Sequence, residues 1–238
     1  MMIDGVLNLN KPQGITSRQA LDRIRKLWGV KKAGHGGTLD PDATGVLPIC
    51  LGKATKLFDP LQEGTKSYSA TVTLGITTDT FDASGQVLMT SPTEHISEDR
   101  IDFVLNSFVG EIDQTVPIFS AVKYQGKPLY KIARQGKQIE NLPSRQVTIK
   151  SIEITLMNLP KFAFKVDCSK GTYIRSLVND VGAQLKCGAI LSQLVRTRSG
   201  IFRLEDAYDL DSLEERKITS NESVVPMNVV IEALKQVV

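Results

Sequence analysis

Little in this sequence suits a membrane, a disulfide framework or a metal centre. No apolar run approaches the ~20 residues that a bilayer span requires. The N-terminal Met1-Met2-Ile3-Asp4-Gly5 has no basic segment leading into an apolar stretch. The expectation is a cytoplasmic protein with no membrane attachment. Only three cysteines occur, Cys50, Cys168 and Cys187, far apart and odd in number, which fits reduced thiols better than disulfides. With two histidines, His35 and His95, a structural zinc site would need an unusual ligand set, so no metal is expected. Internal repeats and low-complexity linkers are missing as well, and nothing in the composition forces a domain break.

What is present is an ordinary globular composition, 41% hydrophobic and 23% charged, over 238 residues, enough for one large core or two modest ones. The net charge of +3 says less than its distribution. Between residues 123 and 150 stand seven basic side chains (Lys123, Lys127, Lys131, Arg134, Lys137, Arg145, Lys150) against one acidic, Glu140. A second cluster, Arg18, Arg23, Arg25, Lys26, Lys31 and Lys32, is opposed only by Asp22, whereas residues 205–215 are acidic. Such asymmetry suits a protein that turns one face toward a polyanion. Either cluster taken alone also reads as a solvated helix face.

Periodicity supplies the elements. Thr16-Ser17-Arg18-Gln19 has the form of a capping box, followed by Ala20, Leu21, Ile24, Leu27 and Trp28 at helical spacing, with Gly29 as the stop. A glycine-rich loop holding His35 and Asp40 comes next. Tyr68, Ala70, Val72 and Leu74 alternate with polar residues as in a half-buried strand. Ser97 opens a second helix whose core face is Ile101, Val104, Leu105 and Phe108, closed by Gly110. A basic excursion over residues 117–141 contains a short helical piece after Pro128. Two strands (147–156 and 161–168), a helix carrying Ile174, Leu177, Val178, Val181 and Leu185, and strand-like sequence over 189–204 complete the chain. Strands and helices mix without a βαβ rhythm, so the expected class is α+β with a mostly antiparallel, mixed central sheet flanked by helices.

The segment densest in chemistry is residues 34–48. Three glycines surround His35, which permits either close approach to a ligand or a tight turn. Pro41 pushes Asp40 out of the helical region and pins it in a loop, where catalytic groups often sit, although Asp-Pro is equally a plain turn starter.

This segment resembles the signature of the TruB family of pseudouridine synthases, in which an aspartate follows His-x-Gly-x-Leu and precedes Pro-x-Ala-Thr-Gly. Further motifs resemble the family in the same order. They are Asn10-Lys11-Pro12-Gln13-Gly14-Ile15-Thr16-Ser17; Lys66-Ser67-Tyr68; Thr78-Asp79-Thr80-Phe81-Asp82; Pro117-Ile118-Phe119-Ser120-Ala121-Val122-Lys123 with Tyr130 and Ala133-Arg134; Ser169 through Arg175; and Leu194 ahead of Arg196. The resemblance implies a pseudouridine synthase fold with a catalytic cleft across the sheet, and no cofactor. It implies Asp40 as the catalytic carboxylate, Arg175 as the catalytic-site arginine that pairs with it, and Tyr68 as the catalytic tyrosine that stacks on the target base and helps remove the C5 proton. Tyr173 and Leu194 would line the base pocket, His35 would wedge into the RNA loop, and Lys11 and Asp82 would belong to the substrate-binding set. Lys123, Lys127, Lys131, Arg134 and Lys137 would clamp the phosphate backbone.

The implied partner is tRNA, at its T stem-loop, bound by a monomer that requires no protein partner. The expected organisation is a catalytic domain over 1–220, with the RNA-clamping insertion at about 117–145. A short tail over 221–238 would stand where many relatives carry a PUA-type RNA-binding module. Three other readings remain open at this point: a related synthase acting on rRNA or in a guide-RNA particle, a magnesium-dependent phosphoryl-transfer enzyme using Asp40, Asp42, Asp79 and Asp82, and a non-enzymatic RNA chaperone.

Overall fold

The computed structural model describes residues 3–136, 139 and 141–236. From the N-terminus, β1 (Gly5–Lys11) leads through α1 (Ser17–Trp28) to β2 (Ala33–His35), β3 (Thr44–Leu51), α2 (Phe58–Glu63) and β4 (Lys66–Leu74). Then come β5 (Ile76–Thr78), β6 (Val87–Thr90), α3 (Glu98–Asn106), β7 (Gly110–Thr115), β8 (Lys123–Tyr124), β9 (Lys127–Pro128) and α4 (Leu129–Ala133). The long β10 (Ser144–Asn158), β11 (Lys161–Cys168), α5 (Ile174–Gln184) and β12 (Ala189–Ser199) follow. The chain continues through β13 (Phe202–Arg203), β14 (Tyr208–Asp209), α6 (Leu210–Glu215), α7 (Ser220–Ser223), β15 (Val224–Pro226) and α8 (Met227–Lys235). The class is α+β with mixed sheet structure flanked by helices.

The chain divides into two compact units, residues 1–69 with 194–238 and residues 70–193. Both β4 and β12 pass from one unit into the other, so no linker marks the boundary.

In the first unit β1 pairs antiparallel with β3 and β15 and parallel with β14, while β3 pairs antiparallel with β2 and parallel with β12. The apolar core gathers Val6, Val46, Cys50, Leu61, Phe202 and Val230, with Ile231 and Leu234 of α8 packed against it. Residues beyond 220, read from the sequence as a tail, thus contribute a strand on β1 and a helix on this core. The capping box at Thr16 is formed, and Gly29 ends α1 in the left-handed region at φ 63°. Gly45 is demanded by packing. At φ 100° it lies in register with Arg196, and a Cβ there would stand 2.3 Å from the Arg196 carbonyl oxygen. Only glycine lets β3 approach β12 that closely.

The second unit runs β4-β11-β10-β7 across its sheet, with β10 antiparallel to both β11 and β7, and α3 and α5 contact β10 and β7 respectively. Phe162, Phe164 and Val166 of β11 are buried, as their alternation predicts. Gly110 does not close α3. That helix ends at Asn106, and Gly110 begins β7 at φ 116°.

Candidate active site

Asp40 lies half-buried in the irregular stretch between β2 and β3, as the Asp-Pro step predicts. The backbone on both sides of it is fastened from beneath. Ser17, 2% exposed at the start of α1, donates from Oγ to the Leu39 carbonyl (2.9 Å) and accepts from the Leu39 N–H (2.8 Å). Lys11, fully buried at the end of β1, donates from Nζ to the carbonyls of Pro12 (2.8 Å), Ile15 (2.7 Å) and Pro41 (3.1 Å). All three ammonium N–H bonds are taken by these acceptors, so Lys11 acts as a fastener of the loop. Gly14 N–H adds a second bond to the Pro41 carbonyl at 2.9 Å. Arg196, 2% exposed on β12, donates from Nε to Val46 (2.7 Å) and from its terminal nitrogens to Thr38 (3.4 Å) and Gly37 (3.3 Å), all carbonyls. The result is a carboxylate presented on backbone that buried side chains hold at several points.

The electrostatics follow from this burial. Desolvation pushes the Lys11 ammonium down to about 8, opposed by Asp42 and then Asp40, with the Arg196 charge adding to the depression. His35, the last residue of β2 opposite Ile49, is held below its ordinary value by burial first and the Arg196 charge second. Its ring is therefore neutral at neutral pH. Tyr68 is 8% exposed and in phase with the buried face of β4, and Leu194 is half-buried on β12.

The first unit thus carries Lys11, His35, Asp40, Tyr68 and Leu194, and the second carries Asp82, Lys123, Arg134, Tyr173 and Arg175. Arg175 is 4% exposed at the second position of α5, where a helix dipole opposes a positive charge. Two carbonyls and a carboxylate offset this: its terminal nitrogens donate to Thr80 (2.9 Å) and Phe119 (3.0 Å), and Nε stands 3.6 Å from Asp82 Oδ2. Asp82 is itself oriented, since Oδ1 accepts from Thr80 Oγ1 (2.6 Å), Ser84 Oγ (2.6 Å) and Ser84 N–H (3.0 Å). Tyr173 is gripped through its backbone by the fully buried Gln114, which accepts from its N–H (2.7 Å) and donates to its carbonyl (3.0 Å). The Arg145 guanidinium lies 5.1 Å from the Tyr173 ring centroid. Gln114 carried no signal in the sequence, because a polar residue on a mostly exposed strand reads as surface, and Arg145 stood out only as a member of the basic 123–150 cluster.

The two basic clusters differ. Lys123, Lys127, Lys131 and Arg134 are exposed around β8, β9 and α4. Arg134 lies 5.6 Å from the Tyr130 ring centroid, and Lys137 falls outside the described residues. On α1, by contrast, Arg18 and Arg25 bond Asp22 at 2.8 and 3.2 Å. Arg23 binds Asp211 at 3.1 Å and Glu214 of α6, so the acidic segment near the C-terminus compensates this cluster. Among the described residues no group of three or more His, Cys, Asp or Glu side chains could hold a metal ion. Asp79 and Asp82 direct their carboxylates into their own turn, Asp79 accepting from the Gln86 N–H at 2.8 Å.

Residues 25–174 match the model of the TruB family pseudouridylate synthase N-terminal domain, and residues 175–238 that of the tRNA pseudouridylate synthase B C-terminal domain. Among curated relatives, tRNA pseudouridine synthase B of Clostridium novyi is 48% identical over 211 residues, 89% of this chain and 72% of the relative. The protein of that name from Geobacillus kaustophilus is 48% identical over 221 residues, 90% of this chain and 77% of the relative. Among solved structures, a chain of a Cbf5-Nop10-Gar1 complex superposes with a TM-score of 0.74 at 33% identity, over 97% of this chain and 62% of that one. An H/ACA RNP bound to a substrate RNA containing 2′-deoxyuridine gives 0.71 at 30%, over 98% and 62%. The Asp40 loop and the Arg175 helix lie within these matches, and the chain belongs to the TruB family of pseudouridylate synthases.

Proposed function

We propose that this chain isomerises uridine to pseudouridine at position 55 in the T loop of tRNA, with Asp40 as the essential carboxylate. The observation that carries the reading is the family match across residues 25–174, which contains the Asp40 motif in full. The 48% identity to relatives named for tRNA, against 33% to the Cbf5 chain, favours tRNA over a guide-RNA substrate.

The reaction breaks the N1–C1′ bond, turns the uracil and forms C5–C1′, with a proton lost from C5 and one gained at N1. Atoms balance without a co-substrate, cofactor or metal. The Asp40 carboxylate stabilises the positive charge that develops at C1′, or adds to that carbon. Arg175 is the partner cation of the carboxylate in this reading, and Asp82 orients Arg175 through the 3.6 Å ion pair. The target base must first leave its stack. Tyr68 stacks on it, Leu194 and Tyr173 line its pocket, and the neutral His35 ring fills the gap left in the RNA loop. A phenol with an ordinary pKa near ~10 is a weak base at neutral pH, so stacking is the larger part of the Tyr68 role. The exposed Lys123, Lys127, Lys131 and Arg134 hold phosphates.

Pseudouridine mapping of an unmodified tRNA, incubated with the pure monomeric protein in chelator, tests the reading. One new pseudouridine in the T loop is expected. Product only on rRNA, or only with added magnesium or a partner protein, would overturn it.

The Lys11 fastener adds a pH dependence. Below about 8 the ammonium is complete and all three carbonyls are held. As pH rises through that value one proton leaves and the loop loses a donor. The single-turnover rate should therefore fall on the alkaline side, while Lys11→Met shows a low rate without that limb. A wild-type profile that stays flat between about pH 7 and about pH 9.5 would remove Lys11 from this role.

A further inference from the structure

Arg196 is a charged side chain buried on β12 with no carboxylate at ion-pair distance among the described residues. Burying a guanidinium among neutral acceptors is costly, and apolar residues of similar volume usually serve a core better. Its three acceptors are not scattered. Gly37 and Thr38 lie just before Asp40 and Val46 just after it, and all three are 150 or more residues from Arg196 in the chain. The fork therefore bridges the two shoulders of the one loop that carries Asp40. The close approach at Gly45, set against the Arg196 backbone itself, brings the root of the side chain under the loop. Lys11 and Ser17 hold the residues that touch Asp40 directly, Pro41 and Leu39, whereas the Arg196 side chain, beside the Gly36 N–H to Pro48 carbonyl bond at 2.8 Å, ties the loop's entry to its exit.

We propose that Arg196 is a positioning residue for the reaction, fixing the Asp40 carboxylate by holding the Gly37, Thr38 and Val46 carbonyls on one planar fork. The proposal rests on the reading of Asp40 as the reacting carboxylate. It assigns to Arg196 no contact with the RNA. Its loss lets the carboxylate wander by a fraction of an ångström to an ångström, which is enough to lower the chemical rate about 10²-fold while binding is untouched. Lysine keeps the charge but reaches fewer carbonyls and lacks the planar fork, so it restores the rate only in part.

The test is single-turnover kinetics on tRNA with the full chain for Arg196→Met, Arg196→Lys and Asp40→Asn, each checked for a cooperative thermal melt. Arg196→Met should lower the maximal rate about 10²-fold with the half-saturating concentration within about twofold of wild type. Arg196→Lys should recover about tenfold of that loss. If Arg196→Met does not fold, the split between rate and half-saturation in Arg196→Lys decides. Folded variants with wild-type rate, or a loss confined to half-saturation, would overturn the proposal. An active Asp40→Asn would instead overturn the underlying reading, so the two failures are separable.

Discussion

Asp40→Asn is expected to abolish pseudouridine formation, by at least about 10³-fold, with tRNA affinity within about threefold of wild type. The substitution changes one oxygen to an amide nitrogen and leaves shape and volume alone. The ties that hold the loop are indifferent to it, because Ser17 bonds the Leu39 backbone and Lys11 and Gly14 bond the Pro41 carbonyl. The Ala43 N–H to Asp40 carbonyl bond, 3.1 Å, is also a backbone contact and persists. What disappears is the negative charge that the proposed reaction needs at C1′. Single-turnover assays and filter binding on the same preparation measure the two halves of the claim. Normal turnover by the variant would mean that the carboxylate is not the reacting group.

Raising salt fourfold should weaken tRNA binding by about 10²-fold. Four exposed cations, Lys123, Lys127, Lys131 and Arg134, neutralise phosphates in the proposed complex. Each such contact releases condensed counterion and contributes roughly −0.7 to −0.9 to the slope of log affinity against log salt. Four give a slope near −3, hence a factor of about 4³. The α1 cluster adds little to that slope, since three of its arginines already have carboxylate partners. Removing Lys123 and Lys127 together should flatten the slope by about 1.5, whereas removing Arg18 and Arg25 should leave it unchanged. A flat response in the wild type would refute a phosphate clamp at this segment.

Much of the local structure was legible because the signals are short-range. The Thr16 capping box, the Gly29 stop and the Tyr68 alternation each depend on a few neighbouring residues, and each is formed. β3 was hidden for a physical reason. Its sequence, Thr-Gly-Val-Leu-Pro-Ile-Cys-Leu, is buried almost throughout, so it lacks the alternation that marks a half-exposed strand, and Pro48 argues against one. The division into two units left no trace either, since it runs through the middle of two continuous strands. At the site, Asp40 stood out by its motif and by the proline behind it. The side chains that secure it did not. Nothing local distinguishes the buried Arg196 from the less buried Arg198 two residues on, on the same strand face. Burial there is decided by carbonyls on the distant Asp40 loop.

The discontinuity of the first unit sets an order of events during synthesis. A chain that ends at residue 193 already holds every residue of the second unit, and the contacts within that unit can form once this segment has cleared the exit tunnel. The first strand of the first unit must wait much longer, because one neighbour, β14, begins at Tyr208 and another, β15, ends at Pro226. Throughout that interval the segment bearing Asp40 is tethered to a nascent chain whose closing strands do not yet exist. Released chains truncated short of about residue 208 should therefore protect the middle of the sequence from protease better than its beginning.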